Sequence, residues 1–330
     1  SIYQSIFLYG FSLLLISLTI KSLGGEVTFK SSLKKISGYV FLISVSVVIN
    51  HFASRLVSSI YGIEISDYFS SMVGWGKEPF LKALKHAIRY IKGYMLFKTF
   101  YGLNSYSFVG VWIALTSAAL LWQKEKSYGL TIALSILVFL TSFSLPIIFG
   151  TVIAPRAMVQ LPVVFAGTFV VFSIVSRIYR FSILISLLFL CFGGASSNKL
   201  FYSDYMARKA DDNMASQVLS LIRYKDPQFD DHKTPVFFYG GMAPYNVWRV
   251  QNGDVFGASF FEWDGGDNRR IRSFIKNSNI ADLSLPSDEQ KKTMIDVAKE
   301  YPSWPSRDSV QLIDGAVLVK LSDSFNAKIN

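Results

Sequence analysis

Six long hydrophobic runs occupy the first 197 of the chain's 330 residues, and they constrain the fold more than any other feature. The runs are 2–20, 37–56, 106–123, 128–150, 157–176 and 181–197, each bounded by charged or turn-forming residues. About 20 mostly apolar residues suffice for a helix to cross the hydrocarbon of a bilayer. Lipid offers backbone groups no water to bond, so such runs are helices and not strands. Pro162, inside the fifth run, is tolerable if neighbouring groups satisfy the carbonyl it frees. The expected fold is mainly α: a polytopic membrane bundle of about six helices over 1–197, then a small α+β soluble domain over 198–330.

Charge divides the chain at the same place. Residues 1–196 carry 16 Lys and Arg against 5 Asp and Glu, a net of +11, while the remainder carries 17 against 18. Basic residues spread over loops between hydrophobic runs point to lipid headgroups as partners, and no nucleic-acid-binding motif is present. The single cysteine, Cys191, lies in a hydrophobic run, so no disulfide can form within the chain. No basic region or cleavage site precedes the first run, which argues against a signal peptide.

The short loops 21–36, 124–127 and 177–180 hold eight basic residues close to helix ends, and the opposite face also holds eight. The positive-inside effect is strongest beside helix ends, which places the short loops in the cytoplasm and the tail outside. The long outer segment 57–105 contains an amphipathic stretch at 79–97. In it Lys82, Lys85, Arg89 and Lys92 recur at helical spacing, with Leu81, Leu84, Ile88, Ile91 and Met95 opposite. Such a helix lies in the membrane interface, as an anchor or as a binder of a lipid phosphate.

In the tail, a helix is predicted at about 204–224, with Asp211-Asp212-Asn213 on its solvated surface. A strand follows at 235–239, then a helix over 287–300 capped by Ser287, and a hairpin of 310–313 and 316–321 about Asp314-Gly315.

The chain contains no P-loop, GxGxxG, GxSxG or HExxH, and its three histidines are scattered, so a histidine-based metal site or triad is not expected. Arg156, in the outer loop Gly150–Arg156, can hold a phosphate bidentately at the bilayer surface, or anchor the topology. Glu64 and Asp67 are outer-loop acids that could serve as general base or remain solvated surface charge. Glu262-Trp263-Asp264 on a Gly-rich turn, with Trp248 nearby in sequence, combines an aromatic face with carboxylates, as carbohydrate-binding sites do; an anchored loop tip is the plainer reading.

Three stretches carry a resemblance to a known family. They are Ala154-Pro155-Arg156 leading into the Pro-containing run, Asn198–Tyr205 followed by Asp211 and Ala215, and Tyr301-Pro302-Ser303-Trp304-Pro305 with Ser309-Val310 and the closing hairpin. Their order and spacing over roughly 150–330 resemble the multispanning, Gtr-type glucosyltransferases of serotype-converting phages and bacteria, which modify the O-antigen of lipopolysaccharide. The resemblance implies a GT-C-type enzyme of the bacterial inner membrane with a periplasmic tail. It would take a sugar, glucose foremost, from undecaprenyl-phosphate-sugar and transfer it with inversion to O-antigen, with no cofactor beyond the lipid-linked donor. Combined with the residues above, this makes Arg156, Lys82, Lys85 and Arg89 the expected donor-phosphate contacts, Trp263, Glu262, Asp264 and Trp248 the expected acceptor contacts, and Asp67 or Glu64 a candidate base. In such enzymes the base usually lies in the first outer loop. Segment 57–105 has no paired-acid motif, so the chain is expected to be the C-terminal portion of a longer enzyme with its base upstream. The competing readings are another O-antigen enzyme, such as a polymerase or acyltransferase, and a non-enzymatic glycan-binding or lipid-sugar transport component.

Overall fold

The computed structural model describes residues 5–62, 74–77, 79–95, 108–123, 128–150, 157–250 and 255–325. The chain is mainly helical, with a small sheet of 3 strands. It divides into two compact units, Ser1–Gly194 and Ala195–Asn330.

The first unit is built from α1 (Ser5–Leu23), α2 (Phe29–Tyr61), α3 (Phe80–Met95), α4 (Phe108–Gln123), α5 (Tyr128–Thr141), α6 (Ser144–Phe149), α7 (Gln160–Ser176) and the start of α8 (Tyr179–Lys225). Among the described residues, three helices, α1, α2 and α8, are long and apolar enough to cross a membrane. Three more, Phe108–Trp122, Tyr128–Thr141 and Gln160–Ser176, are apolar but shorter. The hydrophobic run at 128–150 is interrupted: α5 ends at Thr141, and α6 starts again at Ser144. Pro146 supplies the reason, since it has no N–H to bond the carbonyl of Ser142 and is tolerated only in the first turn of a new helix.

Helices α1, α4, α5 and α7 pack around Leu15, Leu18, Val109, Leu134, Val138 and Val164. Small residues let the backbones approach. A Cβ on Gly167 of α7 would collide with Ile16 Cδ1 of α1. Hydroxyls cross-link the same helices, Ser12 to Thr141 at 2.9 Å and Ser22 to Thr131 at 2.8 Å. Between helices in lipid such bonds contribute about 0.6 kcal/mol each, so close packing contributes more to holding the helices together. Helix α2 starts from a capping box in which Thr28 and Ser31 exchange side-chain and backbone bonds. Ser32 is its buried residue, so most of its apolar surface is left open.

The second unit contains the remainder of α8, β1 (Val236–Tyr239), α9 (Asn268–Asn277), α10 (Asp288–Val297), β2 (Val310–Ile313) and β3 (Ala316–Lys320). Sheet order is β1-β3-β2, with β1 parallel and β2 antiparallel to β3. Strand periodicity sends Val236, Phe238, Val317 and Val319 to one face, where Met214, Val218 and Ile222 of α8 and Ile271 and Ile275 of α9 cover them. Phe237, Tyr239 and Leu318 meet Met294 and Ala298 on the other. The expected strand, hairpin and Ser287-capped helix are present, the cap as a full box with Gln290. The hairpin turns on Asp314 and Gly315, both at positive φ (47° and 73°), as a tight two-residue turn demands.

Two features depart from expectation. The tail helix is not a separate element, because α8 runs unbroken from the hydrophobic run through residues 204–224. Helix α9 is not anticipated by the sequence pattern. Its first residue also closes the sheet: Asn268 accepts from the Phe238 N–H at 2.7 Å and donates to the Phe238 carbonyl at 2.8 Å.

Candidate functional site

In the first unit, the candidate donor-phosphate residues Lys82, Lys85 and Arg89 lie on α3. At 100° per residue, Lys82, Lys85, Arg89 and Lys92 share a sector of roughly 80°. All four are exposed. The apolar positions divide into two groups. Ala83 (0%) and Ala87 (4%) are buried, and Ile91 packs against the cluster of Phe143, Leu145, Met158 and Leu161. Leu81 and Ile88 stay exposed, at 76% and 54%. The helix therefore has three sectors: one seated on protein, one apolar and open, one basic, with the open apolar sector beside the basic one. Short residues at 83 and 87 permit the seating.

The segment before α3 fixes it further. Gly74 N–H donates to the Phe149 carbonyl at 2.7 Å, and Trp75 Nε1 donates to the Ile147 carbonyl at 2.8 Å, both at the end of α6. Trp75, which no sequence motif singles out, thus ties the interfacial stretch to the Pro146 turn. Glu64, Asp67 and Arg156 lie outside the described residues.

In the second unit, the turn carrying Glu262, Trp263 and Asp264 is held by arginines from two directions. Arg249 forms a bidentate pair with Glu262 at 2.8 and 2.9 Å. Arg270 pairs with Asp264 at 2.7 Å. The Trp263 ring lies 4.8 Å from Phe260, with the guanidinium groups of Arg208 and Arg270 at 5.6 and 5.3 Å. Gly266 (φ 90°) permits the close turn, since a Cβ there would collide with the Gly240 carbonyl oxygen. Beside the turn, Phe260, Arg269, Arg270, Ser273, Phe274 and Asn277 line a surface groove of about 350 Å³. Trp248 is set apart from the turn, edge-on to Tyr202 at 5.1 Å.

The carboxylates of the turn are therefore not bare acceptors. Each is half of a guanidinium–carboxylate pair that offers donors and acceptors together. Such planar pairs suit hydroxyl-rich neutral ligands better than anions, because the positive charge is already matched. Arg249, Arg270 and α9 were not singled out from the sequence, since the 13-residue separation of Arg249 and Glu262 gives no local signal.

Behind Trp263 lies the strongest electrostatic feature of the unit. Asp211, expected on a solvated surface, is fully buried. It accepts from Ser259 Oγ at 2.5 Å, from the Phe260 N–H at 2.9 Å and from Arg208 at 3.3 Å. Burial pushes its pKa up to about 6, against the lowering effect of these same hydrogen bonds and of Arg208. The correction follows from spacing: Ala207, Asp211, Met214, Val218 and Ile222 form one buried stripe of α8. Arg208 also bonds Asp204 at 3.3 Å and lies over the Phe260 ring at 4.0 Å, and Asp204 accepts from the Gly257 N–H. The two aspartates thereby pin residues 257–260 and, through Phe260, one wall of the groove.

Among the described residues, no group of three or more His, Cys, Asp or Glu side chains is placed to hold a metal. No protein-family model matches the chain, and neither does any curated protein or solved structure.

Proposed function

We propose that the chain is a polytopic glycosyltransferase of the bacterial inner membrane, moving a sugar, glucose foremost, from undecaprenyl-phosphate-sugar to O-antigen polysaccharide on the periplasmic face. In this reading α1, α2, α4, the α5–α6 pair, α7 and the apolar part of α8 make six spans, and the unit from Ala195 onward is periplasmic.

One observation carries the reading furthest, the division of α3 into seated, open apolar and basic sectors. A polyprenyl phosphate needs both an apolar path for its chain and cations at the headgroup, and a helix with these two sectors adjacent offers them side by side. Lys82, Lys85 and Arg89, with Arg156, are assigned to the donor phosphate. The groove beside Glu262, Trp263 and Asp264, with its paired charges and aromatic wall, is assigned to the acceptor glycan, and Trp248, which stands apart from it, is not.

The reaction is a single displacement. A carboxylate, either one upstream of these residues or Glu64 or Asp67, takes the proton of an acceptor hydroxyl as its oxygen attacks the anomeric carbon. The bond from that carbon to the phosphate oxygen breaks, its electron pair leaving with undecaprenyl phosphate, whose charge the cationic groups stabilise. The configuration at the anomeric carbon inverts.

The test is transfer of radiolabelled glucose from undecaprenyl-phosphate-glucose to O-antigen by membranes containing the chain. Label in polysaccharide is expected, with its loss in Arg156→Ala at unchanged protein level. Absence of transfer by this chain and also by a form extended upstream would refute the transferase reading, and full activity in Arg156→Ala would refute the role of that residue.

A further inference from the structure

The second unit carries an exposed aromatic surface that the transferase reading does not use fully. On α8, Phe201, Tyr202 and Tyr205 are 64%, 45% and 51% exposed. They stand on the face opposite Ser203, Ala207 and Asp211, which are buried. A second element brings more apolar surface to the same level of the helix. Asn246 Nδ2 donates to the Ser203 carbonyl at 3.0 Å, and Asn246 Oδ1 accepts from the Trp248 N–H at 3.0 Å. This fastening places Trp248 against Tyr202 and leaves Tyr245, Val247 and Trp248 at 88%, 66% and 52% exposure. Lys199 is exposed on the same helix, and Lys209 lies over the Tyr205 ring at 4.7 Å. Contiguous apolar surface of this kind, rimmed by cations, marks an interaction site.

The occupant follows from the helix itself. Helix α8 is continuous, and its apolar run begins at about residue 181. Crossing about 30 Å of hydrocarbon at 1.5 Å per residue takes roughly 20 residues, which brings the helix to about residue 200. Phe201, Tyr202 and Tyr205 then fall in the next turn and a half, the headgroup layer, where aromatic rings with one polar edge are favoured. At the other end of the same run stand Tyr179 and Arg180, a matching pair of interfacial residues.

We infer that the face formed by Phe201, Tyr202, Tyr205 and the 245–248 loop is a membrane-interface platform, by which the soluble unit rests on the headgroup layer with Tyr245, Val247 and Trp248 dipping into it. Such a platform depends on the apolar run of α8 and is independent of whether the chain transfers sugar.

The test uses the full chain in lipid nanodiscs with Cys191→Ser, so that a single introduced cysteine takes an environment-sensitive fluorophore. Val247→Cys probes the platform. Tyr224→Cys, at a position 74% exposed, is the control; it lies roughly 33 Å further along the helix than Tyr202. The Val247 label is expected to emit to the blue of the control, to be quenched by nitroxide lipids and to lose most of its quenching by aqueous iodide. Because a label can itself seek lipid, Trp248→Phe in the otherwise native chain provides a second reading with brominated lipids, with a drop in the lipid-quenched tryptophan fluorescence below the level that the tryptophans of α4 maintain. Equal iodide quenching at 247 and 224, with no change in Trp248→Phe, would overturn the inference. So would protection of 247 that appears only on adding O-antigen polysaccharide, which would make the face a glycan surface.

Discussion

Replacing Asp211 with asparagine removes a charge while keeping the shape of the side chain, and so isolates what ionisation of this buried group does. Its pKa is raised from 3.8 to about 6 in the folded unit. A group whose folded pKa lies above its unfolded value contributes stability that is fully present below the lower value and is lost as the pH rises through the upper one. At 1.36 kcal/mol per unit the full loss is about 3 kcal/mol, of which about 2.4 kcal/mol falls between pH 4 and pH 7.5, or roughly 60-fold in an opening equilibrium. The segment that opens is 257–260, because Asp211 holds Ser259 Oγ and the Phe260 N–H directly. Hydrogen exchange of a peptide covering 255–263 in the full chain, corrected for the intrinsic dependence of exchange on pH, reads that equilibrium. Protection in the native chain should fall across pH 4 to 7.5, while Asp211→Asn should be nearly flat. Asp211→Ala should be less protected throughout, by about 1–3 kcal/mol, since it leaves a buried N–H and a hydroxyl without their acceptor. Protection that rises with pH in the native chain, or the same slope in native and Asn forms, would refute the assignment of a raised pKa to this carboxylate.

Three further outcomes are expected. Lys85→Gln and Arg89→Gln should each raise KM for the lipid-linked donor roughly fivefold, from about 1 kcal/mol per interfacial cation, with kcat little changed; unchanged donor kinetics would remove α3 from the donor site. Gly167→Val should destabilise the helical unit in thermal unfolding by about 1–3 kcal/mol or more, and Ile16→Ala in the same chain should restore part of the loss, because the added Cβ collides with Ile16. Arg249→Gln should cost under about 1 kcal/mol, since its pair with Glu262 is 43% and 32% exposed, and a larger loss of protection at 257–263 would show that the pair holds the turn.

The sequence revealed what depends on local pattern. Hydrophobic length marked the apolar helices, Ser287 marked the start of α10, and Asp314-Gly315 fixed the hairpin register. It was less informative where neighbours in space decide. The last hydrophobic run is expected to end at 197 and a separate helix to start at about 204, yet nothing between them blocks helical backbone and α8 continues. Helix α9 has few apolar positions beyond Ile271, Phe274 and Ile275, and these acquire meaning only once β1 lies beneath them. The burial of Asp211 could have been read from its place on the apolar stripe of α8, but its partners Ser259 and Phe260 are 48 and 49 residues away. For the same reason the arginine partners of Glu262 and Asp264 were out of reach, whereas the basic stripe of α3 was plain from spacing alone.

The pairing of Asn268 with both backbone groups of Phe238 has a consequence beyond the fold of one chain. It occupies at that residue the hydrogen bonds through which β1 would recruit another strand. A bilayer confines copies of a protein to two dimensions, where they meet far more often than at equal dilution in solution. An open sheet edge under those conditions is a template for edge-to-edge growth. One amide side chain, folded back as a stand-in for a neighbouring strand, therefore makes β1 a poorer template for another copy of this unit.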